Sequence, residues 1–315
     1  MQLRQIKGNT WVLESWNLIP LYRLDHARCI LLDSGTLEQR WELEAALDQE
    51  GLTPVAILGS HAHIDHMGSH GYFQKTRGTR VVMSLGEAGQ IASSLGLQLQ
   101  YYNFPQEQFS AFPELGTAPC VPDRVILPGE ETVRLFGADF GILRTPGHTV
   151  DHISVRTPDN VLYLADAMMT GRTLHRSKFP FALSVSAYLD SLVRLRWQRA
   201  ACYIVAHRGV YTDILPFIDL ELQFLRQRML SLLELVGPEG TTPKLLTQAI
   251  CRRYEARTKS PRTLAYFEQA SQAYLNYLAG QGHLKLVMMD SQLYYQRVTA
   301  DPAPAVPLPP TGLFR

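Results

Sequence analysis

The feature that most constrains the fold of this chain is a segment rich in histidine and aspartate, directly after an apolar run. Residues 60–68 read Ser-His-Ala-His-Ile-Asp-His-Met-Gly, and residues 55–58 before them are Val-Ala-Ile-Leu. A short apolar run of this kind is typical of a buried strand. Open α/β sheets keep their sites at the carboxyl ends of strands, so we predict a metal site at a sheet edge here. A solvated histidine-rich turn is the alternative.

The same arrangement, an apolar run followed by a side chain that can bind a metal ion, occurs four times in the chain. The three further runs lead into His148, Asp166 and His207. Each of these residues alone has an ordinary structural interpretation, such as a turn or a helix cap for Asp166. Their recurrence after apolar runs favours one shared site.

The composition is that of an ordinary globular protein. Apolar residues make up 46% and charged residues 19% of the 315 residues, a length that suggests about two domains. The net charge of +1 argues against a chain-wide polyanion-binding surface, although a local basic patch stays open. The sequence shows no signal-peptide core, no apolar run of the roughly 18 residues that a membrane span needs, and no C-x-x-C spacing. We therefore predict a reduced, cytoplasmic protein without a membrane partner.

The periodicity of the first half predicts short strands with one helix among them. The helix covers residues 37–49, with Thr36 as its cap and Gly51 just beyond its end. Residues 86–124 combine glycines, prolines and aromatic residues, which predicts an irregular subdomain packed on the core, with a substrate lid as the alternative. The predicted strands are residues 10–14, 20–24, 29–32, 55–58, 80–83, 133–136, 141–143 and 161–165.

After residue 213 the pattern becomes helical. Three helices are predicted, at about 214–236, 243–254 and 263–278, and a hairpin follows over residues 284–295. Helix, helix and hairpin form a winged-helix arrangement. The predicted domains are a catalytic domain at 1–213, a helical, winged-helix-like domain at 214–298 and a proline-rich tail at 299–315.

The motif His61-x-His63-x-Asp65-His66, together with Thr-Pro-Gly before His148, resembles the signature of the metallo-β-lactamase superfamily of metal-dependent hydrolases. The resemblance covers roughly residues 8–213. It implies an α/β (α+β) fold, an αββα sandwich of two mixed sheets with helices outside and the site at one sheet edge. The C-terminal part resembles, in pattern rather than in motif, the winged-helix-like extension of a branch near glyoxalase II and lactamase-β-like 2 proteins.

The resemblance also implies two divalent ions per chain, each held by three side chains, with one carboxylate bridging them. Imidazole ligands suit several metals, and zinc is favoured, with iron and manganese as alternatives. The family usually has glycine around the last of the ligand histidines, and here the run is Ala206-His207-Arg208-Gly209, so we expect the second pocket to be altered. The implied ligands are His61, His63 and His148 for the first ion, Asp65, His66 and His207 for the second, and Asp166 between them.

The charges at such a site favour hydrolysis. Two divalent ions, two aspartates and one bridging hydroxide leave the centre net positive, so a deprotonated water is stable near neutral pH. Asp65, the predicted catalytic residue, would orient this metal-bridging hydroxide or accept its proton. We therefore predict a binuclear metal-dependent hydrolase that acts on a small, anionic ester or thioester.

Four further side chains are candidates for binding an anionic substrate, namely His70, Arg172, His175 and Arg208. Each has a plain alternative, a surface helix position for His70 and a solvated loop for the other three. His152, four residues after His148, is expected to support a ligand rather than to be one. Arginines and a lysine at residues 252–262 could contact phosphates, with a solvated helix end as the alternative.

Three other functions stay open. A metal-dependent ribonuclease would use the basic residues at 252–262 to guide its strand, whereas a non-catalytic scaffold would retain no ion. An iron-dependent oxygenase-type member of the superfamily would bind one or two irons, and its persulfide dioxygenase relatives bind one. The predicted partner is a small-molecule substrate, with nucleic acid less favoured, and the oligomeric state is open, a homodimer being one option.

Overall fold

The computed structural model describes residues 1–93, 119–207, 209–256 and 261–298, with only the backbone for residues 261 and 262. Two compact units make up the chain. The first comprises Met1–Met168 and Gln198–Ile214. The second comprises Met169–Trp197 and the described residues from 215 onward. The segment at 169–197 thus groups with the C-terminal helices, although along the sequence it lies between two strands of the first unit.

The first sheet of the first unit has seven strands in sequence order, β1 to β7. The first four strands pair antiparallel, and from β4 to β7 the pairing is parallel. Helix α1 (Arg40–Gln49) connects β4 to β5, and helices α2 (Ile64–Met67) and α3 (His70–Arg77) connect β5 to β6. Helix α4 (Leu85–Ile91) follows β6. The strands are Gln2–Lys7, Thr10–Glu14, Ile19–Arg23, Arg28–Leu32, Thr53–Leu58, Arg80–Ser84 and Arg124–Ile126.

The second sheet has six strands in the order β13-β12-β11-β10-β9-β8. Strands β11 and β12 pair parallel, and the other neighbours pair antiparallel. The backbone N–H of Ile153, the first residue of β10, donates to the carbonyl oxygen of Ser60 at 3.0 Å, which joins the two sheets at one edge. The strands are Thr132–Leu135, Ala138–Arg144, Ile153–Arg156, Val161–Ala165, Cys202–Val205 and Val210–Tyr211.

Alternating side chains of each strand divide between two apolar cores, as the two-residue period of a strand requires. Ile30 and Leu32 of β4 point into the core between the sheets, where they join Val155 and Tyr163 of the second sheet. Leu31, between them in sequence, points to the opposite face, in the cluster that contains residues of α1 and α3. Burial of each such side chain contributes about 1.5–3 kcal/mol before the entropy of ordering is subtracted. The predicted α/β architecture of two stacked sheets is confirmed.

Helix α1 begins at Arg40, three residues later than the sequence predicts. Thr36 does not cap the helix there; its hydroxyl accepts from the backbone N–H of Gln39 at 3.3 Å, inside a turn. The carbonyl oxygen of Thr36 accepts from the Ser69 hydroxyl at 2.7 Å, just after the histidine motif. A Cβ at Gly68 would lie 2.5 Å from the backbone nitrogen of Leu37, so the two segments touch backbone to backbone. Thr36 and Leu37, where local periodicity places the start of the helix, therefore contact residues 68 and 69 instead.

The second unit contains the helices and the hairpin that the C-terminal pattern predicts. Thr242 caps the helix at Pro243–Arg253 by accepting from the backbone N–H of Leu245 at 3.3 Å. The hairpin turns at Asp290 and Ser291, whose φ angles of 47° and 61° are those of a tight turn with two left-handed residues. The elements are α5 (Gly171–Ser177), α6 (Val185–Leu195), α7 (Leu215–Leu235), α8 (Pro243–Arg253), α9 (Pro261–Gly280), β14 (Leu284–Met289) and β15 (Gln292–Arg297).

The winged-helix comparison, the domain boundary at residue 213 and the interpretation of residues 86–124 stay predictions. Most of the aromatic segment at 86–124 lies outside the described residues; its first part forms α4 and its last part begins β7. Among the described residues, no helix combines the length and apolar character that crossing a membrane requires.

Candidate metal centre

Four strand ends deliver the candidate side chains to one edge of the sandwich. Strand β5 ends at Leu58, and the chain then runs through His61 to His63, which begins the short helix α2. Helix α2 carries Asp65 and His66 in its single turn. His148 lies in the loop between β9 and β10, Asp166 directly follows β11, and His207 lies two residues beyond β12.

These side chains form two groups of potential ligands. In each group the ligand atoms all lie within 4.8 Å of one another. Within the first group, His148 Nε2 and His63 Nδ1 are 2.9 Å apart. Two atoms bound at about 2.0–2.1 Å to one tetrahedral ion lie about 3.3 Å apart, so this spacing suits a shared metal. The first group is His61, His63, His148 and Asp166, and the second is Asp65, His66 and His207.

The Asp166 carboxylate lies between the two groups. Its Oδ2 is 3.2 Å from His148 Nε2, while its Oδ1 is 3.3 Å from His207 Nε2 and 3.5 Å from His66 Nε2. Asp65 Oδ2 is 3.3 Å from the same His207 nitrogen. One carboxylate therefore presents a separate oxygen to each group, which is the geometry of a bridging ligand.

The donor atoms of this site fit a metal ion. Among the described residues, His61 Nε2 and His66 Nε2 are buried without a hydrogen-bond partner. A buried polar atom without a partner costs about 1–3 kcal/mol, so such atoms need an explanation. Imidazole nitrogens and carboxylate oxygens are ligands of Zn²⁺ and related ions, and metal bound in each of the two groups would satisfy these nitrogens.

Burial and neighbouring charge give the histidines of the two groups opposite behaviour. Burial, together with the charge of neighbouring histidines, lowers the pKa of His61 and His63 well below the usual value, which keeps these rings neutral. Burial also lowers the pKa of His207, but Asp166 and Asp65 outweigh it and raise that pKa to about 10. The pKa of His66 is likewise raised, against burial, by Asp166 and Asp65. The second group must therefore release protons before its imidazoles can bind a metal.

Asp33 supports His66 from behind, a role that the sequence analysis missed. Its Oδ2 accepts from His66 Nδ1 at 2.7 Å and from the Tyr163 hydroxyl at 2.6 Å. Both carboxylate oxygens also accept from Ser60, at 2.6 Å from its backbone N–H and 2.7 Å from its hydroxyl. A metal-binding histidine is commonly oriented by such a carboxylate on its other nitrogen. The available signal was an aspartate directly after the apolar strand β4.

Two other histidines lie beside the groups. His152 Nδ1 shares a hydrogen bond with the Thr145 hydroxyl at 2.8 Å, and its Nε2 accepts from the backbone N–H of Asp166 at 3.3 Å. It thus supports a ligand segment, as expected. His70 is fully buried, and its Nδ1 shares a hydrogen bond of 2.7 Å with the Ser34 hydroxyl. The alternative of a surface position for His70 is wrong, and its role in substrate binding stays a prediction.

The remaining predicted substrate residues are Arg172, His175 and Arg208. Arg208 lies outside the described residues. Arg172 and His175 belong to α5 in the second unit, where the His175 ring packs edge-on against Phe224 at 5.9 Å. The sequence analysis missed an aromatic neighbour of the site: Trp16 stacks on the His207 ring at 5.5 Å and is 52% exposed.

Two relatives found by sequence comparison are both named hydroxyacylglutathione hydrolase. The hydroxyacylglutathione hydrolase GloC of Haemophilus influenzae is 26% identical over 194 residues, which are 60% of this chain and 84% of that protein. The hydroxyacylglutathione hydrolase of Serratia proteamaculans is 30% identical over 138 residues, 44% of this chain and 42% of that protein. The chain thus spans most of the first relative and less than half of the second.

Solved structures show the same fold. A metallo-beta-lactamase family protein from Thermus thermophilus has a TM-score of 0.68 at 22% identity, over 92% of this chain and 99% of that one. A beta-lactamase domain protein from Burkholderia ambifaria has a TM-score of 0.70 at 17% identity, over 94% of both chains. The family model described as "Metallo-beta-lactamase superfamily" matches residues 9–207. The chain therefore belongs to the metallo-beta-lactamase superfamily, as its motif indicated, and is a metal-dependent hydrolase.

Proposed function

We propose that the protein is a binuclear metal hydrolase that acts on a small, anionic ester or thioester. The observation that carries this proposal is the position of Asp166, whose two carboxylate oxygens lie 3.2 Å from His148 Nε2 and 3.3 Å from His207 Nε2. A site for one ion needs no carboxylate shared between two sets of histidines. Two ions, zinc being favoured, would each receive three further ligands.

The division of ligands follows the two groups. The first ion would be held by His61, His63 and His148, the second by Asp65, His66 and His207, and Asp166 would touch both. Two bound divalent ions supply Lewis-acid activation of water at neutral pH and of the scissile carbonyl group. The side chains of the two groups would hold these ions, and the outer contacts of His66 and His152 keep the donor atoms aimed inward.

Asp65 has a second task besides ligation. Its Oδ2 lies 3.3 Å from His207 Nε2, on the more open side of the site, where the side chains of both residues are partly exposed. Burial raises the pKa of Asp65, but the charges of His66 and His207 outweigh it and hold that pKa below the usual range. Such a carboxylate is a weak base. It therefore acts chiefly by orienting the nucleophile and ligating the ion. The main-chain oxygen of Asp65 accepts a hydrogen bond from Asn17 Nδ2 at 2.7 Å, which fixes the position of the residue.

The identity of the substrate is a further part of the proposal. The relatives are named for hydrolysis of a hydroxyacylglutathione, which is a thioester carrying carboxylates. A thioester of this class fits a net positive centre, and we place it first among the candidates. His70, Arg172, His175 and Arg208 remain the residues predicted to bind it. The name of the superfamily does not by itself imply activity on β-lactams.

The test combines metal analysis with a substrate panel. Purified protein should contain about two divalent ions per chain and should hydrolyse thioesters, a hydroxyacyl thioester of glutathione foremost, faster than lactones, phosphodiesters or RNA. Asp166→Asn protein should lose both properties. Retention of metal with no ester or thioester hydrolysis would overturn the proposal. A single iron per chain with consumption of oxygen would replace it by the oxygenase alternative, and preferential cleavage of RNA by the nuclease alternative.

The cellular setting is also proposed. The four cysteines, Cys29, Cys120, Cys202 and Cys251, are all free thiols, which is compatible with a reducing compartment. We propose a cytoplasmic location on this ground. Immunolocalisation or fractionation of cells that express the full chain would test it.

A further inference from the structure

Glu87 is a buried carboxylate that belongs to neither ligand group. It lies in helix α4, directly after strand β6, and its side chain is 0% exposed. A carboxylate in such a place is costly unless several donors face it. Burial raises the pKa of Glu87, and the backbone N–H groups of Asp151 and Ala62 oppose this rise by donating to the ionised form. The identity of these donors is informative.

The two oxygens of Glu87 bind two different segments of the metal site. Oε2 accepts from the backbone N–H of Ala62 at 2.8 Å, and Ala62 stands between His61 and His63. Oε1 accepts from the backbone N–H of Asp151 at 2.9 Å, three residues after His148. One rigid carboxylate thus joins the segment that carries two ligands of the first group to the loop that carries the third.

The start of α4 and the His148 loop donate hydrogen bonds to each other. Asp151 Oδ2 accepts from the backbone N–H of Gly86, next to Glu87, at 2.9 Å. The carbonyl oxygen of Asp151 accepts from the Ser84 hydroxyl at 2.6 Å. A Cβ at residue 86 would lie 2.7 Å from the Asp151 Cβ, so the Gly86 backbone lies directly against the Asp151 side chain. The start of α4 is therefore fastened to this loop by three hydrogen bonds.

We propose that Glu87 is a positioning residue for the first metal ion, setting the distance between the His61–His63 segment and the His148 loop. The separation of 2.9 Å between His63 Nδ1 and His148 Nε2 depends on both segments at once. The second group is held by other contacts: Asp33 on His66 and Asn17 on the Asp65 backbone. This inference rests on the proposed function for the assignment of the first ion, and it predicts a selective effect.

The selective effect is measured in proteins that keep only one ligand group. His207→Ala protein retains the first group, and His148→Ala protein retains the second. Introduction of Glu87→Gln into the first background should weaken Zn²⁺ binding about 10- to 100-fold, the usual cost of losing an outer contact of a metal site. In the second background the same change should alter Zn²⁺ affinity by less than about threefold. Equal weakening in both backgrounds would overturn the proposal, because it would show a general structural role.

A second readout requires neither metal nor activity. In metal-stripped protein, backbone hydrogen exchange at Ala62 or at Asp151, whichever amide then faces the new NH2 group, should be faster by about fivefold or more in Glu87→Gln, because an amide group replaces one acceptor oxygen by a donor. Unchanged exchange at both amides would overturn the proposal. Failure of the proposed function would instead show as metal binding without ester hydrolysis, which leaves this measurement unaffected.

Two further variants complete the design. Glu87→Asp keeps the charge but is one methylene shorter, so its oxygens cannot reach both amides, and the same selective loss of the first ion is expected if Glu87→Gln fails to fold. Glu130→Gln is the matched control, because Glu130 also accepts a backbone N–H, that of Leu127 at 2.6 Å, and pairs with Arg124. Zn²⁺ affinity in the Glu130 variant should equal that of the parent; weakening as large as in the Glu87 variants would contradict the selective role.

Discussion

The two ligand groups are built from similar side chains but differ in burial and in charge. His61, His63 and His148 of the first group are at most 6% exposed, and the pKa of the first two is lowered. In the second group the side chain of His207 is 24% exposed, and two carboxylates raise its pKa to about 10, against the effect of burial. For His207, burial therefore lowers the pKa, and the facing carboxylates raise it. The first group is prepared for a metal, whereas the second must exchange protons for one.

Asp166 is the residue on which both groups depend, and its removal should have the largest effect. Asp166→Asn should lower kcat for thioester hydrolysis by more than about 100-fold, beyond the usual cost of an outer contact, and should reduce the metal content below two ions per chain. Asp139→Asn is the control, because Asp139 is an exposed aspartate that pairs with Arg134 at 3.6 Å. A variant of Asp166 that kept two ions and full activity would show that the carboxylate bridges nothing.

The two groups should also respond differently to pH. Below the raised pKa values of His66 and His207 both rings carry a proton that a metal must displace, so affinity at the second group should fall as pH falls. The expected slope is about tenfold per pH unit for each displaced proton. His61 and His63 are already neutral, so affinity at the first group should change less between pH 6 and 8.

Zn²⁺ titrations of the His148→Ala and His207→Ala proteins at pH 6, 7 and 8 would measure the two slopes separately. Equal slopes would remove the distinction between the groups. A steeper slope at the first group would reverse it.

Asp33 should be the counterpart of Glu87 for the second group. Asp33→Asn places an amide opposite His66 Nδ1 and should weaken Zn²⁺ binding at the second group about 10- to 100-fold, with a smaller change at the first, whose His61 is linked to Asp33 through the Ser60 hydroxyl. Tyr163→Phe removes only one of the four hydrogen bonds to this carboxylate and should cost about 1 kcal/mol of stability. Metal titration and thermal unfolding of the two variants would check both values. A larger loss of Zn²⁺ affinity at the first group than at the second would contradict the assignment of Asp33 to the second group.

Trp16 should give the smallest effect. Its ring stacks on His207 at 5.5 Å, and such a contact contributes about 0.5–1.5 kcal/mol, so Trp16→Ala should weaken Zn²⁺ binding at the second group by about two- to tenfold. Trp41→Ala is the control, because Trp41 is exposed to a similar degree, 57% against 52%, and its ring packs on Tyr72. Equal Zn²⁺ affinity of the two variants in a titration would show that Trp16 does not support His207.

The sequence predicted the members of the site better than it predicted their supports. Each metal-capable side chain follows an apolar run, and that local signal is visible without any knowledge of the fold. Asp33 also follows an apolar strand, but neither its role nor that of Glu87 is visible locally, since their partners lie far along the chain: Tyr163 is 130 residues from Asp33, and Asp151 is 64 residues from Glu87. The start of α1 was misplaced for the same reason, because Thr36 bonds to Ser69, just after the histidine motif, instead of capping the helix.

The sequence by itself determined which donor atoms the chain has, where each follows a strand, and therefore the superfamily and its metal chemistry. Those properties are local, since a strand period and a ligand spacing are contained in a few neighbouring residues. Only the tertiary structure decided that Asp166 faces both groups, that Asp65 and Asp166 raise the pKa of His66 and His207, and that Glu87 fastens two loops together. These properties depend on distances between segments that only folding brings into contact.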